Sequence, residues 1–249
     1  MRHPLVAALL AAAALAATGC DQLGQALGTD VDRYTTACAV LVDGSGSGQE
    51  DAAHGFAAEE KLNVALPEFL RDLECRTLAF APITRASAGS TCQQETLDLD
   101  PDARSTDDRD QLREVWRSVA LDQARELLSC ARNRQPGSDV LGALDRVGQA
   151  APDGAEAFHI LVVSDFMQAD GSFQLHADQV QTPESRAGAL DTLEAQGRLP
   201  RLPETTTVYP AGYGMRFSDD PAAYEGFDAF WSELLEERVK IDVSFDYRQ

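Results

Sequence analysis

Basic residues are scarce in this sequence, and lysine is almost absent. Lys61 and Lys240 are the only lysines, and the formal net charge is −20 at pH 7. A protein that binds the phosphate backbone of a nucleic acid needs a basic face that neutralises phosphates. The charge balance therefore argues against a nucleic-acid partner and is typical of a solvated acidic surface.

The sequence also lacks the short motifs that mark several large classes of enzyme. It contains no H-E-x-x-H motif, no P-loop and no G-x-S-x-G motif, because the GSGSG run at residues 44–48 has Gly46 where the nucleophilic serine would be. Zinc sites are disfavoured as well, since no two cysteines have C-x2-C spacing and His54, His159 and His176 are far apart. We therefore expect a protein that is not an enzyme.

The N-terminal segment has the order of parts of an export signal. Arg2 supplies a positive start, residues 5–17 are an unbroken apolar run, and residues 17–20 read Ala-Thr-Gly-Cys. The run is shorter than the roughly 20 apolar residues that a membrane-spanning helix needs. The segment resembles the lipobox of bacterial lipoproteins, which implies cleavage before Cys20 and lipidation of that cysteine. Plain secretion, with Cys20 incidental, is the alternative.

This interpretation divides the chain into three segments. Residues 1–19 are the signal peptide, residues 20–33 are the lipidated cysteine and a polar tether, and residues 34–249 are one folded domain. No basic run follows Cys20, so the lipid must hold the protein to its membrane. We expect a lipid-anchored protein on the cell membrane that faces away from the cytoplasm, in the periplasm if the envelope is Gram-negative.

The cysteines that follow Cys20 predict disulfides. They are Cys38, Cys75, Cys92 and Cys130, an even number in a chain with an export signal. Two disulfides in any of three pairings satisfy this pattern, and four free buried thiols are the alternative.

Apolar runs typical of buried strands alternate with helical periodicity through the rest of the chain. Strands are predicted at residues 36–42, 77–83, 91–99, 158–163, 205–211 and 239–247. Helices are predicted at residues 58–73, from a cap at Ser105 or Thr106 to Pro136, from Ser138, at 182–196 and at 221–236. The alternation predicts an α/β fold with a doubly wound, mostly parallel central sheet flanked by helices.

Polar residues follow three of these segments. Asp43, Ser45 and Ser47 come directly after the first strand, Ser138 opens a helix in mid-chain, and Asp165 ends the strand at 158–163. In open α/β sheets, ligands bind at the carboxyl ends of strands. The order of a D-x-S-x-S loop, a Ser or Thr loop and a later Asp resembles the von Willebrand factor A family, which carries a metal-ion-dependent adhesion site.

The resemblance extends over about residues 34–247. The TTTVYPAGYG segment at 205–214 is similar to the family's following strand and glycine turn, whereas Phe166 stands where the family commonly has glycine. The resemblance implies a vWA-type fold and a metal held by Asp43, Ser45, Ser47, Ser138 and Asp165.

The oxygen ligands of this set suit Mg2+ or Mn2+ rather than zinc. Two serine hydroxyls and few carboxylates would leave the ion short of negative charge, so that an Asp or Glu side chain of a partner protein completes its coordination. We also expect Gly44, Gly46 and Gly48 to let the serine loop bend.

Each residue of this set also has a purely structural interpretation. Ser138 is a good helix N-cap, Asp43 and Asp165 are ordinary strand terminators, and Gly-Ser loops are common connections. Two other functions follow if these interpretations hold in part: an envelope scaffold of the same fold without metal, and a metal-assisted hydrolase that uses Asp43 or Asp165.

Two further expectations depend on the fold. A Cys38–Cys75 disulfide would lie at the lower, amino-terminal edge of the sheet, and a Cys92–Cys130 disulfide near the upper edge. Residues 166–180, which include Phe166 and Phe173, either form a partner-contacting rim or fold back into the core.

Overall fold

Strands and helices alternate along the part of the chain that the computed structural model describes, residues 33–49, 55–102, 108–152 and 154–247. Residues 1–19, the predicted signal peptide, and Cys20 lie outside this part. The strands are β1 Thr36–Asp43, β2 Cys75–Ile83, β3 Leu97–Asp98, β4 Phe158–Val163, β5 Thr206–Ala211 and β6 Asp242–Val243. The helices are α1 Ala58–Asp72, α2 Arg109–Arg134, α3 Val140–Gly148, α4 Ala177–Val180, α5 Pro183–Ala195 and α6 Pro221–Ser232, the last continued by a π-helix at Glu233–Val239.

The strands form one six-stranded sheet in the order β3-β2-β1-β4-β5-β6. All neighbouring strands are parallel except β3, which pairs antiparallel with β2. The prediction of a doubly wound α/β sheet is confirmed. From β1 the chain moves outward to β2 and β3, and it then returns to β4 on the other side of β1. A crevice opens at such a reversal of strand order, above the carboxyl ends of β1 and β4.

Helices cover both faces of the sheet, as the apolar composition of the central strands requires. Alternate residues of β1 enter opposite cores. Ala39 and Leu41 pack with α3, α5 and α6, whereas Val40 and Val42 pack with α1 and α2. These four side chains are fully buried. Truncating a side chain such as Leu41 to alanine costs about 2–5 kcal/mol in cores of this kind.

The two edge strands are much shorter than predicted. Only Leu97 and Asp98 pair with β2. The stretch before them lies against α2 instead, because the Cys92–Cys130 disulfide joins it to that helix. Residues 239–247 contribute only Asp242–Val243, since the preceding helix runs on to Val239 as a π-helix.

The predicted cap of α2 is wrong, and the alternative interpretation of Ser138 as a helix cap does not hold either. The side chain of Asp108 accepts hydrogen bonds from the backbone N–H groups of residues 110 and 111 and so caps α2, whereas Ser105 and Thr106 lie outside the described residues. Asp139, rather than Ser138, caps α3. In both cases the aspartate next to the first helical residue takes the position, since its carboxylate also interacts favourably with the helix dipole.

Both disulfides have the pairing expected from the fold. Cys38 is bonded to Cys75, with Cα atoms 5.7 Å apart, and Cys92 to Cys130, with Cα atoms 5.8 Å apart. Cys75 is the first residue of β2, so the first disulfide lies toward the amino-terminal edge of the sheet. Cys130 lies near the end of α2, which reaches the opposite edge.

Residues Tyr34–Gln249 form one compact unit. The start of this unit is fixed at the amino-terminal edge of the sheet, where the Asp100 carboxylate accepts hydrogen bonds from the Tyr34 N–H at 3.0 Å and from Arg113 Nε at 3.0 Å. Among the described residues, no helix combines the length and the apolar character needed to cross a membrane.

Candidate functional site

Two buried carboxylates meet in the crevice between β1 and β4. Asp43 is the last residue of β1, and Asp165 follows β4 by two residues. The strand ends are neighbours, since Val42 pairs with Val163. Both aspartates are 0% exposed. A buried carboxylate is costly unless hydrogen bonds or a cation compensate its charge.

Hydrogen bonds from three segments fix the Asp43 carboxylate. Its Oδ1 accepts from the backbone N–H of Ser45 at 2.8 Å. Its Oδ2 accepts from Ser138 Oγ at 3.1 Å and from Ser164 Oγ at 2.6 Å. The end of β1, the loop before α3 and the end of β4 are therefore joined at one side chain.

Asp165 is less completely satisfied than Asp43. Its Oδ1 accepts a hydrogen bond from the Met167 N–H at 3.1 Å. Its Oδ2 is buried and makes no hydrogen bond of standard geometry within the described residues, although the Ser47 hydroxyl lies near this carboxylate. Buried polar atoms in folded proteins nearly always have a partner, so this oxygen fits a position next to a bound cation.

The pKa values of both carboxyl groups are raised, as expected for a buried pair without a cation between them. Burial raises the pKa of Asp43 to about 7, and the charge of Asp165 acts in the same direction, while the Ser164 hydroxyl lowers it. Burial also raises the pKa of Asp165, against the Met167 N–H, the Ser47 hydroxyl and the positive charge of Arg216. A divalent cation between the two groups would favour their charged forms.

The serine loop lies directly above Asp43. Ser45 Oγ and Ser47 Oγ share a hydrogen bond of 3.0 Å, and a short 3-10 turn runs through Gly46–Gly48. Arg132 Nη2 donates to the Gly48 carbonyl oxygen at 2.9 Å and so ties the loop to α2. Ser45 is almost fully buried and Ser47 is half-buried. Both hydroxyls are thus held close to the two carboxylates.

The loop glycines were expected to let the serine loop bend, and the backbone angles do not support this role. None of Gly44, Gly46 and Gly48 has a positive φ. Gly44 is required for a different reason, since a Cβ there would lie 2.5 Å from the Cβ of Ala131 on α2. The glycine lets the helix approach the end of β1 and does not provide a special bend.

Ser138 does not act as a helix cap. The side chain of Asp139 accepts from the Gly142 N–H, while the Ser138 hydroxyl donates to Asp43. The Ser138 backbone is also bridged to Ala169, whose N–H donates to the Ser138 carbonyl at 2.7 Å. Of the two interpretations of Ser138, the geometry supports the one that assigns its side chain to the site.

Sequence reasoning missed Ser164. Among the described residues, this fully buried serine makes the shortest hydrogen bond to Asp43, at 2.6 Å, and its Oγ also accepts from the Phe166 N–H at 3.0 Å. The available signal was a serine directly after an otherwise apolar strand. Apart from this addition, the structure brings together the five residues predicted as ligands.

Phe166 belongs to the core and not to a partner-contacting rim. It has φ 62°, in the left-handed region that favours glycine. Its ring is fully buried, with centroids 5.1 Å from Tyr213 and 5.2 Å from Trp231. Phe173 is half-buried against the same core. Of the two interpretations of residues 166–180, packing into the core holds for these aromatic side chains.

The donor set contains only oxygen atoms. Among the described residues, no group of three or more His, Cys, Asp and Glu side chains is arranged to hold a metal. The candidate site offers two carboxylates and three serine hydroxyls instead, a set that suits a hard cation such as Mg2+, which commonly keeps several water ligands.

Comparisons with known proteins do not identify the chain. No family model and no curated protein matches it. Similar solved structures include proximal thread matrix protein 1 from the mussel byssus, with 12% identity, a TM-score of 0.31, and coverage of 84% of this chain and 48% of that one. The human COPII-coat protein Sec24c has 12% identity, a TM-score of 0.34, and coverage of 87% and 30%. The chain thus spans about half or less of these proteins, and no function is drawn from them.

Proposed function

We propose that this protein is a membrane-anchored lipoprotein whose folded domain binds a partner protein through a divalent cation. The cation, Mg2+ or Mn2+, would be held by Asp43, Ser45, Ser47, Ser138 and Asp165. The observation that carries this proposal is the pair of buried carboxylates at the reversal of strand order, one of which has an oxygen that no described residue hydrogen-bonds. The resemblance of the ligand set to the von Willebrand factor A family supports the same assignment.

The chain's own residues prepare the site for such an ion. Ser138 and Ser164 orient the Asp43 carboxylate, and the Ser45 N–H fixes its other oxygen. The hydroxyls of Ser45 and Ser47 provide neutral oxygens. The bound ion would supply an unfilled coordination position, and an Asp or Glu side chain of the partner fits it by charge.

The first test is calorimetric titration of Mg2+ and of Mn2+ into the full-length protein in nonionic detergent. Saturable binding is expected in the wild type and its loss in Asp43→Asn, which keeps the side-chain volume but removes the charge. Ser47→Ala removes one half-buried hydroxyl and should weaken binding about tenfold or more. Ser218→Ala, at an exposed serine of the same sheet edge, is the matched control.

Absence of saturable binding in folded wild-type protein would refute the metal site. The fold would then support the scaffold function, in which other contacts recognise the domain. Equal affinity in the wild type and Asp43→Asn would show that metal binds elsewhere. Far-ultraviolet circular dichroism of every variant separates loss of the site from loss of the fold.

The membrane anchor is the second part of the proposal, and its residue lies outside the described part of the chain. It is supported by the order of a positive start, an apolar run and the Ala-Thr-Gly-Cys sequence at residues 17–20. The lipid would place the domain outside the cytoplasm, in the periplasm of a Gram-negative cell.

A further inference from the structure

Most arginine side chains of the described residues are bound to an acceptor. Carboxylates bind the majority of them, as in the Arg201–Asp145 and Arg238–Asp191 pairs, and backbone carbonyl oxygens bind Arg146. A smaller group has no side-chain hydrogen bond or ion pair within the part of the chain that the structure describes. This group comprises Arg71, Arg76, Arg85, Arg134 and Arg216.

Two of these arginines lie on the Ser138 side of the candidate site. Arg85 follows β2 by two residues, and its N–H donates to the carbonyl of Gln135 at 3.3 Å. Arg134 is the last residue of α2, directly before Gln135. The backbone of Arg85 also packs closely against Gly137, the residue before Ser138. Both arginine side chains are exposed.

The third arginine lies on the Asp165 side. Arg216 is carried by a 3-10 turn, Met215–Phe217, directly after β5. The turn is tied to the site, since the Gly214 N–H donates to the Asp165 carbonyl oxygen at 3.2 Å. Arg216 is exposed and lines one cavity together with Met167, which lies two residues after Asp165.

These positions matter because the protein as a whole repels acidic partners. Its net charge is −20, and like charges slow the approach of an acidic protein and weaken its complex. Cationic side chains at the contact must offset this repulsion. Arg132 is nearby but already binds the Gly48 carbonyl oxygen and Glu59. The nearby Asp220 carboxylate caps α6.

We propose that Arg85, Arg134 and Arg216 form an arginine rim that binds an acidic protein segment. The segment would present one carboxylate to the metal and further carboxylates on either side, to Arg85 and Arg134 on one flank and to Arg216 on the other. This inference rests on the proposed function and adds to it the chemistry of the partner. Exposed ion pairs contribute little singly, so the rim acts through several arginines together.

The test uses two fluorescein-labelled peptides in an anisotropy titration. One carries six glutamates separated by glycines, and the other keeps a single central glutamate with glutamines at the other positions. With the full-length protein in nonionic detergent, Mg2+ and low salt, the wild type should bind the first peptide about tenfold more tightly than the second, or better. In Arg85→Gln/Arg216→Gln this ratio should fall toward one.

A matched control uses two arginines of the same unpaired group at the opposite edge of the sheet. Arg71 lies in the last turn of α1, and Arg76 lies at the start of β2. The double variant Arg71→Gln/Arg76→Gln changes the net charge by the same amount. It should keep the wild-type ratio.

The outcomes separate the rim from the metal. If the Arg85→Gln/Arg216→Gln variant still binds Mg2+ and keeps the wild-type affinity ratio, the rim is overturned and the metal site is not. Equal losses in both double variants also overturn it, because the effect would then be one of net charge. Arginine-dependent binding that persists in chelator and in Asp43→Asn supports the rim and contradicts the metal-dependent function.

Discussion

Ser138 Oγ donates a hydrogen bond of 3.1 Å to Asp43 Oδ2, from a position 95 residues further along the chain. The bond joins the loop before α3 to the end of β1. The side chain therefore serves the site, while the neighbouring Asp139 serves the helix.

Substitutions at Ser138 should follow the hydroxyl. Ser138→Thr keeps the donor and should change Mg2+ affinity by less than about threefold, whereas Ser138→Ala should weaken it by about tenfold or more, because hydrogen bonds to charged groups contribute about 1.5–3 kcal/mol. Calorimetry measures both affinities. Equal affinities in the alanine and threonine variants would contradict a role for this hydroxyl.

Ser164 should control the proton affinity of Asp43. Its hydroxyl lowers the pKa of that carboxyl, so Ser164→Ala should raise the pKa further and move the onset of Mg2+ binding to higher pH. Mg2+ titrations between pH 5.5 and pH 8.5 measure the shift, which should be about half a pH unit or more for the loss of one hydrogen bond. Ser172→Ala, which removes an exposed hydroxyl from the loop after β4, is the control and should leave the pH profile unchanged.

The central architecture and most of the site were predictable from the sequence. Long apolar strands such as β4 are buried on both faces, so composition alone marks them, and Asp43 and Asp165 stand where such strands end. The extent of the edge strands was not predictable. Each of them pairs with only one neighbour, and its ladder is limited to Leu97–Asp98 in β3 and to Asp242–Val243 in β6.

The hydrogen-bond partners of individual side chains could not be predicted from the sequence either. Whether Ser138 or Asp139 caps α3 depends on the presence of Asp43 within reach of one of them, and that is a tertiary contact. The same is true of Ser164, whose sequence neighbours give no sign that its hydroxyl meets a carboxylate 121 residues away. Pattern identifies strand ends, whereas hydrogen-bond partners follow from how those ends come together.

The metal-free protein should lose stability as the pH rises. Asp43 has a folded-state pKa of about 7, against about 3.9 for an unperturbed aspartate. The folded state therefore binds the proton more tightly than the unfolded state, so the contribution is complete below about pH 4 and is lost as the pH rises through about 7.

Urea unfolding in chelator should show this loss between pH 5 and pH 7, with a slope of at most about 1.4 kcal/mol per pH unit from this group. In Asp43→Asn the slope should be smaller, since the titrating group is gone. Saturating Mg2+ should reverse the trend in the wild type, because ion binding to the charged form is linked to folding. A pH-independent wild type in chelator contradicts the prediction.

Cys20 should determine the membrane association of the protein. In cells fed an alkyne-tagged fatty acid, the wild type should carry the label and sediment with membranes, and Cys20→Ser should lose both properties. Loss of the lipid removes the anchor, and no basic run follows residue 20 to replace it. Cys38→Ser/Cys75→Ser is the control, since it removes cysteines that form a disulfide and should still carry the label.

Phe166 gives a case in which two opposing effects have different magnitudes. Its φ of 62° costs about 1–3 kcal/mol for a residue with a Cβ, and glycine would remove that strain. Its buried ring contributes about 3–5 kcal/mol, which any small residue forfeits. Packing is the larger effect, so Phe166→Gly should lower the free energy of unfolding despite the relief of strain.

The order of stability of Phe166→Ala and Phe166→Gly should be the reverse of the usual one. Alanine loses the ring and keeps the strain, so Phe166→Ala should be less stable than Phe166→Gly, by about 1 kcal/mol. At an ordinary buried position the glycine variant is the less stable of the two, because glycine loses more conformational entropy on folding. Urea unfolding of both variants in the same buffer measures the difference. A more stable alanine variant would contradict this order. It would show that the backbone at residue 166 leaves the left-handed region once the ring no longer packs against Tyr213 and Trp231.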